Sequence, residues 1–223
     1  MDSPPKDNLR PTIAPVRHTL CVLALLAILA ALLAFLRMGS TTPRLSNLGL
    51  YSLIIVCEWA IFAFTLRSSD TAFAGYIGAA LRNPRALLWD VPLAVLLSAI
   101  LILISPVLVH VLGETGWVST QGMLPKSAPE IAVWIVMAIT AGICEETIFR
   151  GYLQRQITGW TGYVVFGIVG QAVLFALCHA YQGWKNVALI SVWGCVFGVF
   201  AWLRKGLRAN MIAHAALDIF SGF

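Results

Sequence analysis

Charge is what this chain of 223 residues has least of: Asp, Glu, Lys and Arg together make up 11% of it, against about 25% in an average soluble domain. That shortage excludes a water-soluble globule, which needs polar side chains to face its solvent. It also excludes intrinsic disorder, which goes with high charge and few apolar residues. Cysteine is scarce as well. The five thiols (Cys21, Cys57, Cys144, Cys178 and Cys195) each sit alone inside an apolar run, with no CxxC pair. Neither a disulfide framework nor a cysteine-based zinc site is indicated, and the thiols read as small buried hydrophobes. There is no internal repeat, no HExxH, and no polar stretch long enough for an extramembrane domain.

What the chain has is apolar length. Hydrophobic residues make up 59% of it, mean hydropathy is +0.84, and the apolar runs are roughly twenty residues long, enough to cross a hydrocarbon core of about 30 Å. The fold class is therefore all-α, a polytopic transmembrane bundle of about seven spans. They are expected at 18–36, 48–66, 91–112, 131 to about 150, 163–180, 187–203 and 209–220. Residues 1–17, with four prolines and no apolar period, read as a disordered cytosolic tail. The first run lacks a small-residue cleavage site after it, so a retained span is preferred to a signal peptide. Residues 71–85 (TAFAGYIGAALRNPR) look like an interfacial amphipathic helix. The chain thus divides into the tail (1–17), three spans with the interfacial helix (18–130), and a C-terminal helical region (131–223).

The net charge of +5 would suggest nucleic acid in a soluble domain. Here the cations lie in loops, so nucleic acid is not an expected partner. With the N-terminus in the cytosol, eleven of the 15 Lys and Arg fall on the inner side and four outside, a clear positive-inside bias. The expected localisation is an integral, multi-pass protein of the cell membrane, N-terminus cytosolic and C-terminus outside. The bilayer is its first partner.

An ionisable group at membrane depth costs from about 2.5 kcal/mol upward and normally faces the bundle interior or a wet cavity. Six such groups lie within the apolar runs: Glu58, Glu145, Glu146, His179, His214 and Asp218. On an α-helix the adjacent Glu145 and Glu146 point about 100° apart. Glu146 and Arg150, four apart, can pair on one face, which leaves Glu145 free to turn towards a cavity. The plainer alternative is two glutamates snorkelling at a span end. His179 follows an apolar FALC, where a hydrogen-bonded packing histidine is the commoner outcome. His214 and Asp218, again four apart, share one face and can aim at a single water, metal or oxyanion. Glu58, in the middle of IIVCEWAIF, reads first as a protonated, hydrogen-bonded structural residue, with a contribution to the cavity as the alternative. His18 and His110, at span ends, read as interfacial.

Three motifs in order, EExxxR (Glu145, Glu146, Arg150), FxxxH (Phe175, His179) and HxxxN/D (His214, Asp218), resemble the CPBP family of membrane proteins. That family includes the type II CAAX prenyl endopeptidases and relatives linked to bacteriocin processing and immunity. The resemblance covers about the last ninety residues. It implies an intramembrane endopeptidase acting near the cytosolic face on a peptide or protein substrate, with CAAX processing as a family association. The last motif position is usually Asn and here is Asp218, a substitution the family tolerates. An ionised aspartate would repel an oxyanion that an amide would stabilise. Asp218 must then be protonated, orient His214, or bind a metal.

Amide hydrolysis needs an activated water, an oxyanion stabiliser and a proton for the leaving amine. In the metal-free route Glu145 is the base, His179 and His214 position the water and the oxyanion, and Asp218 fixes the tautomer of His214. Glu146, Arg150 and Phe175 support them. The alternative is a metalloprotease in which His179, His214, Asp218 and Glu145 hold zinc with an open position for water. No serine with a paired base stands out. On straight helices Glu145 and His179 rise about 21 and 27 Å above a shared turn, whereas His214 needs a deep turn near Arg208 to join them. Two other functions fit the same residues less well: a non-catalytic immunity or assembly partner of this fold, and a proton-coupled transporter, for which the paired broken helices are missing. Gly142, Gly151, Gly167 and Gly170 are expected to allow close helix approach.

Overall fold

The structure, a computed structural model, describes residues 12–37, 44–67, 75, 77–78, 84–113 and 121–223. Among these there is no strand, and the elements that make the bundle are seven helices. They are α1 (Val16–Arg37), α2 (Asn47–Arg67), α3 (Pro84–Leu112), α4 (Ala128–Thr161), α5 (Val164–Cys178), α6 (Trp184–Arg204) and α7 (Arg208–Ser221). Five of them, α1, α2, α3, α4 and α6, are long and apolar enough to cross a membrane, and α5 is a shorter apolar helix. The helical bundle is as expected. The span count holds only roughly, since α7 has 14 residues.

Three differences have physical reasons. α3 starts at Pro84, where proline fits a first helical turn, and continues through Pro92 and Pro106. α4 runs for 34 residues, about 50 Å at 1.5 Å per residue, so it outlasts a bilayer core and ends at Gly162, whose φ of 78° closes the helix in the left-handed region. The N-terminal segment is ordered earlier than its prolines suggested. Ile13 and Ala14 are buried, their N–H groups donate to Gln156 Oε1 at 2.9 and 3.2 Å, and Gln156 Nε2 donates to the Ala14 carbonyl at 2.7 Å. Composition cannot foresee a clamp supplied from 142 residues away. The rest of the tail, 1–11, and most of the expected interfacial helix at 71–85 lie outside the described residues.

His18, at the start of α1, is packed inside the protein. It is 6% exposed, with Nδ1 2.8 Å from the Tyr152 hydroxyl and Nε2 3.1 Å from the Phe64 carbonyl. Of the five free cysteines only Cys144 is buried; Cys21 is exposed and the others are intermediate, so the thiols are mostly not core residues. Polar side chains hold helix backbones together: Gln171 Nε2 donates to Gly194 O (2.8 Å) and Gln154 Nε2 to Gly198 O (3.0 Å). Such bonds and small residues do what the hydrophobic effect cannot do between helices in lipid. At one end of the bundle Asp90 of α3 meets Arg204 and Arg208 at 3.2 and 2.8 Å, tying together the start of α3, the end of α6 and the start of α7. α2 and α4 run alongside each other in the same direction: Asn47 bonds to Leu124 O, Tyr51 packs edge-on against Trp134, and Trp59 Nε1 donates to Thr140 Oγ1 at 3.2 Å.

Candidate active site

α4 and α7 meet where Gly142 removes a side chain: a Cβ there would stand 2.7 Å from the Met211 carbonyl. This contact brings the turn that follows Gly142 against the face of α7 carrying Asn210, His214 and Asp218. Just there α4 changes its winding. Residues Glu146–Leu153 form a π-helix, the N–H of Gln154 bonding five residues back to the Phe149 carbonyl, and all eight residues are buried. π-turns are wider than α-turns and concentrate at functional sites. Thr147 Oγ1 donates back to Ile143 O at 2.7 Å as the winding begins.

Glu146 is the hub. It is fully buried, its Oε1 takes a hydrogen bond from Arg150 NH1 at 2.9 Å and from His214 Nδ1 at 2.8 Å, and its Oε2 takes one from Asn210 Nδ2 at 3.2 Å. The expected Glu146–Arg150 pair is present. Arg150, also without solvent exposure on its side chain, is roofed by aromatic faces, its guanidinium 4.5 Å from the Phe175 ring centre and 5.1 Å from that of Phe197. A carboxylate already paired to arginine can only accept, so the hydrogen of His214 sits on Nδ1 and points at Glu146. The tautomer of His214 is therefore set by Glu146, where the four-residue spacing had suggested Asp218.

That bond leaves His214 Nε2 for the open side of the site, an acceptor in the neutral ring and a donor in the imidazolium. It faces Glu145 Oε2 at 3.4 Å and Asp218 Oδ2 at 3.6 Å, both slightly beyond direct hydrogen-bond length. Glu145 does turn away from Glu146 and is partly open, its side chain 17% exposed; Asp218 is more open, at 39%. His179 stands at the end of α5, its Nδ1 donating to the Phe175 carbonyl at 3.0 Å. It joins the group through the Phe175 ring, which lies 4.8 Å from His179 and 5.9 Å from His214, and it is within electrostatic reach of Asp218. No hydrogen bond links His179 to Glu145 or His214 among the described residues.

The structure thus gathers Glu145, Glu146, Arg150, His214 and Asp218 directly, with Phe175 and His179 at their side. Sequence reasoning missed Asn210, although its spacing was the signal: Asn210, His214 and Asp218 follow one another at four-residue steps along one face. Asn210 binds both Glu146 and the Phe197 carbonyl (2.9 Å) and so ties three helices. The set expected for zinc (His179, His214, Asp218, Glu145) does not converge. No three His, Cys, Asp or Glu side chains among the described residues are grouped to hold a metal ion.

Residues 127–220 match the Type II CAAX prenyl endopeptidase Rce1-like family, so the resemblance carried by the three motifs holds over that region. No curated protein and no solved structure matches the chain significantly.

Proposed function

We propose, with the family match over residues 127–220 as premise, that this integral membrane protein is an endopeptidase. It hydrolyses a peptide bond near the cytosolic face with water activated by Glu145. One observation carries the reading: His214 is locked through Nδ1 to the buried Glu146–Arg150 pair and presents Nε2 to Glu145 across 3.4 Å. A histidine so held loses its freedom to rotate, and orientation of this kind is what converts binding into rate.

The steps follow from the atoms. Glu145, as carboxylate, takes one proton from a water held between it and His214 Nε2. The hydroxide forms a bond to the carbonyl carbon, and the oxygen becomes an oxyanion. His214, in its protonated form, donates Nε2–H to that oxyanion. The proton on Glu145 then passes to the amide nitrogen as the C–N bond breaks, restoring the carboxylate. Asp218, on the same side of His214, donates or accepts according to whether it carries a proton. His179 lines the approach with its free Nε2.

For the substrate, the match supports a CAAX-type chain bearing an apolar group. Beside Cys178, one residue before His179, a recess of about 390 Å³ lies between α1 and α5, lined by Leu23, Leu26, Leu174 and Leu177. It is apolar enough to take such a group. The test needs no known substrate. Membranes from cells making wild type or Glu145→Gln are compared by mass spectrometry for peptides with new termini. We expect a defined set of products to fall by about 100-fold or more in the mutant. If the two samples match, at equal protein levels and with a phenotype for the wild type, the protein acts as a non-catalytic partner instead.

A further inference from the structure

The turn from α6 to α7, residues 204–208, reads Arg-Lys-Gly-Leu-Arg and carries three cations in five residues. It stands where two candidate spans end: α6 finishes at Arg204, and the apolar stretch of α3 begins at Leu88. Next to the charges, large apolar side chains face outward. Trp202 and Leu203 on α6 are 43% and 64% exposed, Leu88 and Trp89 on α3 74% and 67%. Tryptophan between cations and outward-facing leucine marks the level of lipid headgroups.

The positive charge at this turn exceeds what the protein neutralises. Asp90 takes Arg204 on one oxygen and Arg208 on the other, and it is the one acid that pairs with the turn among the described residues. Lys205 is exposed and has no ion pair among them. Three cations against one carboxylate leave a surplus of two positive charges. The shared carboxylate also holds two guanidiniums side by side, and each keeps N–H groups that Asp90 does not use, since a guanidinium has five.

Charges that only set topology can sit on any loose loop. This turn is held in one shape. Lys205 has φ 53° and ψ 34°, the left-handed region in which glycine or asparagine is the low-strain choice after a helix. A glycine stands one position later, yet lysine occupies the strained place. The segment before α3 closes against it: a Cβ on Gly78 would stand 2.7 Å from the Lys205 carbonyl, and one on Gly206 3.0 Å from the Ile77 carbonyl. A strained residue fixed by its surroundings points to a function for that residue.

We propose that this turn binds the phosphate of an anionic phospholipid headgroup, with Arg204 and Lys205 as its contacts and Arg208 holding Asp90 behind them. The surplus of two charges selects an anion. The exposed tryptophans and leucines select a lipid, whose acyl chains lie along α3 and α6; a free phosphate gains nothing from them. The bound lipid also pins the start of α7, which begins at Arg208 and carries Asn210, His214 and Asp218. The binding itself does not depend on the endopeptidase reading.

The full-length protein in detergent is titrated with phosphatidylglycerol, phosphatidylcholine or inorganic phosphate, and bound molecules are counted by native mass spectrometry. At about fivefold for each basic residue near an anionic lipid, two surplus charges give a preference of about 25-fold for phosphatidylglycerol over phosphatidylcholine. Lys205→Gln should lower that preference to about fivefold. Arg204→Gln with Lys205→Gln should abolish it, while Arg208 stays on Asp90 and keeps the fold. Lys205→Gly removes the same charge and suits the backbone, so it should unfold no earlier than wild type and still lose the preference as Lys205→Gln does. Arg17→Gln with Arg155→Gln removes as much charge from exposed positions on α1 and α4 and should leave the preference within about twofold. The proposal is overturned if wild type shows no preference, if the Arg204 and Lys205 pair of changes leaves it intact, or if the Arg17 and Arg155 pair lowers it equally. Displacement of the lipid by inorganic phosphate at equal concentration also overturns it, since the site is then one for free anions.

Discussion

Two ionic clusters join helices in this bundle, and they are made of the same chemistry in different surroundings. In one, Glu146 of α4 binds Arg150, His214 and Asn210, with no exposure on either Glu146 or the Arg150 side chain. In the other, Asp90 of α3 binds Arg204 and Arg208 at the end of the bundle, where the Arg204 side chain is 36% exposed and that of Arg208 13%. Water can replace a partner in the second cluster. Nothing can in the first, so each of its members fixes the others. A buried ion pair is weak evidence for stability as such, but breaking it leaves a buried charge uncompensated. The comparison teaches that the inner cluster holds geometry and the outer one holds helix ends.

The sharpest way to break that contrast is Arg150→Met. It leaves the Glu146 carboxylate buried beside His214 and should cost about 3–5 kcal/mol, seen as early thermal unfolding in detergent. Combining it with Glu146→Gln should cost less than the two single changes added, because the unpaired charge is gone. Next comes Gly142→Val. A Cβ there would stand 2.7 Å from Met211 O, so α4 and α7 must separate, at about 1–3 kcal/mol, with the proposed peptidase activity falling further than stability because Glu145 and His214 come from those two helices. Asn210→Leu removes one donor from Glu146 and should cost about 1–3 kcal/mol, measured the same way. The smallest effect belongs to the outer cluster: Arg204→Ala, partly exposed and with Arg208 remaining on Asp90, should cost about 0.2–1 kcal/mol and less in high salt. A large effect of Arg204→Ala and a small one of Arg150→Met would reverse the comparison.

Much of this was legible from spacing. Residues that share a helical face are found by counting, and counting paired Glu146 with Arg150 and put His214 and Asp218 on one side of a helix. It also turned Glu145 away from Glu146. The same arithmetic could have yielded Asn210. What counting could not yield is any partner on another helix. The bond from His214 to Glu146 spans 68 residues, and by sequence Asp218, four residues away, was the nearer choice. The π-winding of Glu146–Leu153 was equally hidden, since it alters which side chains share a face without altering the sequence period that would be read as α. Zinc ligation depended on His179 converging with His214, and spacing along the chain says nothing of that; in the structure the two share the Phe175 ring as a neighbour.

From the sequence alone came the class of the molecule: a helical bundle for the bilayer, because apolar runs of that length have no other stable home. From it came also the short roster of polar residues that must find partners inside, because an unpaired charge in lipid is too costly to carry without one. The tertiary structure alone decided which partner each one found: Glu146 for His214, and Asn210 for Glu146. Those choices turn on how α4 and α7 cross one another, at contacts such as Gly142 against Met211, and no local period along the chain encodes where two distant helices touch.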